Sequence, residues 1–294
     1  MNIKLPKSGR YVVAVSGGVD SVSLLHILAK TNKYDLIVAH FDHGIRIDSS
    51  EDLIFVDKLA ASYGLTSKTT RVNLGPVASE ELARNKRYEF LNRIVQETNA
   101  EALITAHHQD DLIETAIINM IRGTGRVGFG SIRENEHIKR PLLIVSKNEI
   151  IDYALKQGLV WREDSTNLND AYLRNRIRHN IVPKMNSNQR QTFLNLIYRE
   201  GKLNDQIDQL FSMFFEEKKT QLNRYVIKIM PYDVSRELIA TWLRMNNLLN
   251  FNHKTIERLT LAAKTKPAGV KLDVTGKYVV NVTRDYLALR SPER

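Results

Sequence analysis

Apolar runs that alternate with amphipathic segments predict a strand–helix repeat through the first half of the chain. Residues 11–15 form a continuous apolar run rich in β-branched residues, which is typical of a strand buried on both faces. A helix is predicted directly after it, at residues 21–29. The same alternation predicts three further strand–helix pairs, at residues 36–41 with 51–63, 67–72 with 80–98, and 102–106 with 110–122.

This alternation predicts an α/β fold with a doubly wound parallel sheet. Strands joined by helices of about ten or more residues imply right-handed crossovers and helices on both faces of one parallel sheet. In such sheets ligands bind beyond the carboxyl ends of the strands. The residues just after each predicted strand are therefore the place to look for chemistry.

The second half of the chain follows a different pattern. Ser146 and Glu149 have the spacing of a capping box, which predicts a helix to about residue 157. Residues 173–185 read as a short helix, and residues 188–217 have helical periodicity. Beyond them lie a segment at 225–229, helices at 234–245 and 254–263, and strands near 270–274, 278–282 and 286–289, with a hairpin turn at Gly276. We therefore predict a catalytic domain at 1–186, a connecting helix at 187–217 and a small α+β domain at 218–294.

Composition narrows the class of protein. The 294 residues are 43% hydrophobic and include no cysteine, which excludes disulfides and thiolate metal or persulfide chemistry. No apolar run reaches about 18 residues, and residues 1–10 lack the apolar stretch of a signal peptide, so we expect a soluble cytoplasmic protein without membrane contact. The formal charge of +10 suggests a polyanionic partner. Residues 186–294 carry 18 lysines and arginines against 11 acidic residues, although a solvated basic surface would explain the same excess.

The first predicted strand runs into Ser16-Gly17-Gly18-Val19-Asp20-Ser21. A glycine pair at this point lets backbone N–H groups approach anionic oxygens, helped by the N-terminus of the next helix. The Walker lysine is missing, so we expect the loop to grip the pyrophosphate part of ATP, with Asp20 holding Mg²⁺. The alternative is an ordinary strand-to-helix turn in which Asp20 caps the helix.

The ends of the second and fourth predicted strands add polar clusters. His40, Asp42, His43 and Arg46 favour a loop lining the nucleotide; zinc is an alternative, but cysteine is absent and no strand-end cluster has clear metal-ligand spacing. After the fourth strand come His107, His108, Asp110, Asp111 and Glu114. Asp111 and Glu114 share a helix face, and these acids could hold Mg²⁺, orient an amine or act as a general base, or merely complement the helix dipole. Nearby cations are expected to line the same edge of the predicted sheet as these acids, or they are merely solvated. They are Arg84, Arg87, Arg122 and Arg126.

Taken in order, these motifs resemble the tRNA(Ile)-lysidine synthetases, a family of PP-loop ATP-pyrophosphatases with an adenine nucleotide alpha hydrolase-like fold. The resemblance covers about the first 180 residues, which makes it far more specific than the phosphate loop alone. It weakens over 218–294, which resemble only the first of two C-terminal subdomains found in longer members. The matching segments are residues 16–21, 40–46, 84–88, 106–115, 122–128, 140–143, 163–167 and 174–179.

The resemblance implies ATP and Mg²⁺ as cofactors, and L-lysine and a tRNA(Ile) with a CAU anticodon as partners. ATP would adenylate the C2 carbonyl oxygen of the wobble cytidine, and the lysine ε-amine would displace AMP. The resemblance would place residues 16–21 at ATP, Asp20 and Asp111 near the metal, and Glu114 at the lysine ammonium. His107 and Arg87 would join Asp20, Asp111 and Glu114 as catalytic candidates, in contact with lysine, phosphate or the target nucleotide. The candidates for tRNA or lysine contacts are Arg84, Arg122, Arg126, Arg174, Arg176 and Arg178.

Three alternatives remain at this point. Related tRNA thiolases use the same adenylation but need cysteines, which this chain lacks. Another PP-loop amidating enzyme would share the phosphate loop, although a basic accessory domain suits a tRNA substrate better. A non-catalytic ATP-binding module would bind ATP without releasing pyrophosphate. A homodimer is one oligomeric state that the sequence leaves open.

Overall fold

A computed structural model describes the chain except for residues 2, 45–48, 74, 76–79, 163–169, 171, 216–218, 249–250 and 292–294. The chain divides into two compact units, Met1–Gly201 and Lys202–Arg294. The division falls inside one long helix, whereas the sequence-based boundaries at 186 and 217 remain a prediction. None of the described helices is both long and apolar enough to cross a bilayer.

A five-stranded parallel sheet forms the centre of the first unit, as the apolar runs predict. Its strands are ordered β3-β2-β1-β4-β5. They comprise β1 (Gly9–Ala14), β2 (Tyr34–Asp42), β3 (Thr66–Arg71), β4 (Ala102–Ile104) and β5 (Ile138–Lys139). The helices are α1 (Val19–Lys30), α2 (Ser49–Ser62), α3 (Glu80–Glu97), α4 (Gln109–Ile121), α5 (Arg126–Phe129), α6 (Lys147–Lys156) and α7 (Leu173–Asn180), followed by a 3₁₀ turn at Val182–Lys184 and by α8 (Ser187–Ser212).

Burial on both faces explains why β1 reads as an unbroken apolar run. Val13 belongs to the core that packs against α1 and α6, whereas its neighbour Val12 belongs to the core against α3. The same alternation holds in β2, where Val38 faces the first core and Ile37 the second. The doubly wound α/β prediction is thereby confirmed.

The helix predicted at 173–185 is shorter than expected. α7 ends at Asn180, and the chain continues as the 3₁₀ turn with Pro183 inside it. Proline has no N–H to donate and its ring clashes with the preceding turn, so the α-helix cannot continue through this position.

The second unit, taken by itself, is a small α+β fold. Its antiparallel sheet has the order β6-β9-β8-β7, and Trp242, Leu259 and Leu287 lie fully buried in its core. The segment at 225–229 is helical, and a short strand precedes it that the sequence pattern misses. The elements are β6 (Gln221–Asn223), α9 (Arg224–Ile229), α10 (Tyr232–Met245), α11 (His253–Thr265), β7 (Lys271–Asp273), β8 (Val279–Val282) and β9 (Tyr286–Arg290).

Candidate active site

The loop after β1 has the geometry of an anion cradle. Gly17 adopts φ +94°, a conformation that L side chains rarely take, and Gly18 is the N-cap of α1. Ser21 Oγ accepts the Ser16 N–H at 3.1 Å and donates to the Gly18 carbonyl at 3.0 Å. Ser16 Oγ in turn lies 3.1 Å from Ser21 Oγ. The two serines therefore fix the loop so that the N-terminus of α1 points towards a ligand.

Asp20, in the first turn of α1, is paired with a cation from the neighbouring helix α6. Lys147 Nζ donates to both of its carboxylate oxygens at 2.7 Å. Lys147 is the first residue of α6, where Ser146 and Glu149 form the predicted capping box. Both side chains are about one-third exposed, Asp20 at 27% and Lys147 at 33%. The pair is therefore open to a ligand.

His108 joins Asp20 to the acids of α4. Its Nδ1 accepts the Asp110 N–H at 3.2 Å, which leaves the ring proton on Nε2. Nε2 lies 3.7 Å from Asp20 Oδ2 and 3.5 Å from Asp111 Oδ2. One imidazole N–H thus lies beside carboxylates from two different helices, and this brings together the phosphate loop and the acidic cluster.

The Asp111 carboxylate is held in its charged form. Burial by itself would raise the pKa of Asp111, but His108, His107 and the His108 backbone N–H, at 3.0 Å from Oδ2, outweigh burial and lower it. Arg178 Nη2, 3.5 Å from Oδ1, acts in the same direction. Asp111 is therefore available to a cation or an amine.

Glu114 is the most deeply enclosed acid of the site, with no exposed side-chain surface. Arg178 binds it through two hydrogen bonds, Nε to Oε1 at 2.7 Å and Nη2 to Oε2 at 2.9 Å. Burial raises the pKa of Glu114, and the Arg178 contacts only partly oppose the rise. Arg174, one turn earlier on α7, approaches Glu114 at 4.0 Å and donates to Thr115 Oγ1 at 3.1 Å.

His107 is a neutral imidazole beside several cations. Its pKa is lowered from 6.5 to about 4, chiefly by burial, with Arg140, Arg87 and Arg84 acting in the same direction and Asp111 opposing them. Its Nδ1 lies 2.8 Å from Thr105 Oγ1. Two of the predicted arginines, on α3, therefore lie near the end of β4 as the sequence suggests.

The residues at the end of β2 are largely engaged with the protein itself. His40 Nδ1 donates to the Val15 carbonyl at 2.8 Å, directly before the phosphate loop. Asp42 accepts the Gly44 N–H at 2.8 Å and pairs with Arg71 at 3.3 Å. The His43 ring packs edge-on against Phe41. Arg46, the fourth predicted residue of this cluster, lies outside the described residues.

The structure separates three predicted arginines from the acids. Arg122 follows the last residue of α4, about 16 Å along the helix axis from Asp111, and Arg126 begins α5 beyond it. Arg176 is exposed, because Arg174 and Arg178 share the face of α7 that turns towards α4. The matching motif at 163–167 lies outside the described residues.

Sequence reasoning missed several partners of the site. Lys147 carries no motif of its own, and only the capping box beside it marks the helix start. Arg190 of α8 pairs with Asp110 and also donates to Gln109 Oε1 at 2.8 Å. Arg162 donates its N–H to the Gly17 carbonyl at 3.0 Å while its guanidinium pairs with Asp52. Each of these three residues contacts partners that are distant in sequence.

The carboxylates present suit a magnesium ion whose remaining coordination positions are filled by a bound ligand and water. In the described part of the chain no three histidines or acids are arranged to hold a metal ion by themselves. Mg²⁺ in phosphate-transfer sites needs only one or two carboxylates, because phosphate oxygens and water supply the remaining positions. Asp20 and Asp111 provide two such carboxylates within 4 Å of the same His108 nitrogen.

Fold and loop together define the class, an α/β nucleotide-binding domain with a glycine-serine phosphate loop. Residues 2–185 match the model of the PP-loop domain family, and the chain belongs to this family. The solved U34-tRNA thiolase NcsA from Methanococcus maripaludis has a similar fold, with a TM-score of 0.55 at 19% identity, covering 66% of this chain and 73% of that one.

Curated relatives named tRNA(Ile)-lysidine synthase are more similar in sequence. The protein from Thermotoga maritima is 33% identical over 243 residues, which is 78% of this chain and 59% of the relative. That from Bacteroides thetaiotaomicron is 38% identical over 72% of this chain and 51% of its own length. That from Exiguobacterium sibiricum is 40% identical over 62% and 44%. The chain thus spans about half the length of these relatives.

Proposed function

We propose that the chain is a tRNA(Ile)-lysidine synthase. In the first step the C2 carbonyl oxygen of the wobble cytidine attacks the α-phosphorus of ATP, and pyrophosphate leaves. In the second step the neutral ε-amine of lysine attacks C2, the C–O bond to AMP breaks, and the amine loses a proton. The substrates are ATP, L-lysine and a tRNA(Ile) with a CAU anticodon. The curated relatives carry this name.

The proposal depends on one observation: the phosphate loop and the acidic start of α4 both place a carboxylate beside His108. Asp20 belongs to the phosphate loop, Asp111 belongs to the acidic helix, and both carboxylates lie within 4 Å of His108 Nε2. ATP bound at the loop would present its α-phosphate near acids that can hold an amine. Such proximity lets adenylation and amine attack occur in one pocket.

The acids on α4 suit an amine nucleophile, which must be oriented and deprotonated before it attacks. Asp111 stays charged and can accept a hydrogen bond from the ammonium, which orients the amine. Glu114 is the second proposed partner of the ammonium, but Arg178 already engages both of its oxygens. Lysine binding at Glu114 therefore requires Arg178 to share or release that carboxylate, and Arg178 could then bind the lysine carboxylate.

Asp20 and Asp111 are the residues that would hold Mg²⁺. The ion, when bound, would neutralise phosphate charge and favour departure of pyrophosphate. The backbone N–H groups of the loop and the hydroxyl of Ser16 would hold the departing oxygens, since they lie at the positive end of α1.

The second unit supplies a basic surface for the tRNA backbone. Two of its cations serve the fold: buried Arg224 donates to the carbonyls of Ala263 and Thr283, and Lys264 donates to those of Ile227 and Met230. Other cations remain exposed and can contact phosphates. Among the described residues they are Lys202, Lys219, Lys228, Lys254, Arg258, Lys266, Lys271, Lys277, Arg284 and Arg290.

Incubation with ATP, Mg²⁺, labelled lysine and a CAU-anticodon transcript tests the proposal. We expect one lysine incorporated and one AMP and one pyrophosphate released per modified tRNA. A transcript with uridine at the wobble position is the matched control. Pyrophosphate release with ammonia but not lysine as nucleophile would favour another amidating enzyme, and ATP binding without pyrophosphate release would favour a non-catalytic module. Either outcome would refute lysidine synthesis.

A further inference from the structure

The ion pair between Lys147 and Asp20 has a geometry that a structural pair does not need. The ammonium contacts both carboxylate oxygens at 2.7 Å, so it occupies the position in which a cation chelated by that carboxylate would lie. The pair is also placed in the first turn of α1, directly after the glycines of the phosphate loop. The Lys147 ammonium thus lies at the position where ATP and its cation would bind.

The loop itself has no lysine. In Walker-type loops a lysine within the motif reaches the β- and γ-phosphates, whereas residues 16–21 contain no basic residue. Lys147 comes from α6, far away in sequence, and reaches the same place. Its backbone is fixed, because its N–H donates to Asp110 Oδ1 at 3.2 Å, while its side chain is one-third exposed on a flexible stem.

Mg²⁺ and the Lys147 ammonium cannot both occupy the two oxygens of Asp20. Resting on the proposed function, which gives Asp20 to the metal, we infer that Lys147 is the missing phosphate lysine of the loop: it holds Asp20 in the metal-free protein and moves to the pyrophosphate part of ATP when the metal takes its place. In this exchange Asp20 keeps a cationic partner, and the entering cation frees an ammonium for an entering anion. It would also couple metal binding to phosphate binding.

Two binding measurements without tRNA or lysine test this exchange. The first is Mn²⁺ binding to the nucleotide-free protein, followed by electron paramagnetic resonance. Lys147→Met keeps the aliphatic stem but removes the competing charge, so we expect Mn²⁺ to bind about tenfold more tightly. The second is calorimetric binding of pyrophosphate with Mg²⁺, which we expect to weaken about 10- to 100-fold in the same variant.

Two further variants provide controls. Lys147→Arg keeps the charge and should restore both affinities to within a few fold of the wild type. Lys156→Met removes an exposed lysine from the last turn of the same helix and should change neither. Matching circular dichroism spectra and unfolding midpoints establish that the variants fold. If Lys147→Met does not fold, a crystal structure of the wild type with Mg²⁺ and pyrophosphate decides, because Lys147 must then contact phosphate oxygen and not Asp20.

Unchanged or weaker Mn²⁺ binding in Lys147→Met would overturn the inference, as would unchanged pyrophosphate binding. Opposite changes in the two affinities support it, because a lysine that only braced the fold would weaken both. The readouts need no modified tRNA. A chain that shows the exchange but forms no lysidine would refute the proposed function and leave this inference standing.

Discussion

The neutral state of His107 predicts a specific loss of stability in acid. Its pKa falls from 6.5 to about 4 on folding, owing to burial and then to Arg140, Arg87 and Arg84, against the opposing charge of Asp111. The unfolded chain therefore binds a proton at this residue before the folded chain does. Stability that is complete above pH 6.5 is lost as the pH falls towards 4. About 2.5 pKa units at about 1.36 kcal/mol each give about 3 kcal/mol.

Replacing the imidazole with an amide isolates this contribution. His107→Gln keeps a hydrogen-bonding group near Thr105 but cannot gain a proton. As the pH falls from 7.5 to 4, we expect the unfolding free energy of the wild type to fall by about 3 kcal/mol more than that of the variant. Urea unfolding at each pH, followed through Trp161 in a Trp242→Phe background, measures this difference for the first unit.

A matched substitution on the surface provides the control. His137 is exposed in the same unit, so the unfolding free energy of His137→Gln should change with pH in the same way as that of the wild type. Magnetic resonance of labelled histidine gives the His107 midpoint directly. A midpoint at or above pH 6, or parallel unfolding profiles for wild type and His107→Gln, would show that burial and the arginines do not suppress its protonation.

The remaining predictions concern the loop, the buried acid and the basic surface. Ser16→Ala and Asp20→Ala should each lower steady-state turnover by about 10² or more while unfolding midpoints stay unchanged; normal turnover would exclude them from the site. Glu114→Gln should raise the lysine concentration needed for half-maximal rate but spare lysine-independent pyrophosphate release, and equal loss of both would contradict an ammonium role. Arg178→Met should lower the unfolding free energy by about 3 kcal/mol, because it removes both guanidinium hydrogen bonds from a buried carboxylate; urea unfolding with no measurable loss would refute this. Filter-binding affinity for tRNA should fall steeply with salt, and a flat response would argue against phosphate contacts.

Sequence periodicity predicted the long elements well but missed two of the short strands, β5 and β6. The strands β1 and β2 are buried on both faces, so their apolar runs are unbroken and easily recognised. The strands β5 and β6 have two and three residues, too few to show any period. They form because their neighbours β4 and β9 offer unpaired edges. This pairing depends on tertiary structure that no local pattern records.

The rule that ligands bind beyond strand ends located much of the candidate site, but it could not predict which acids and cations of the site form ion pairs. It brought Asp20 and Asp111 together, because β1 and β4 are neighbours in the sheet. It could not predict that Arg178 would engage Glu114, since that contact depends on how α7 packs against α4. It also grouped Arg122 with the acids, although a helix of 13 residues carries it to the opposite end.

The acids at the start of α4 are more than complements to its dipole. A helix N-terminus stabilises a carboxylate by about 0.3 to 1 kcal/mol and needs no cation. Here Asp110 is paired with Arg190 of α8 and Glu114 with Arg178 of α7, while Asp20 on α1 is paired with Lys147 of α6. Each carboxylate thus has a cation from a different element. A ligand that binds Asp20, Asp110 or Glu114 must exchange partners within these pairs, so its net binding energy includes a difference between two sets of ion pairs. Such a site would select for a ligand that brings both charges, as Mg²⁺ with ATP and zwitterionic lysine do.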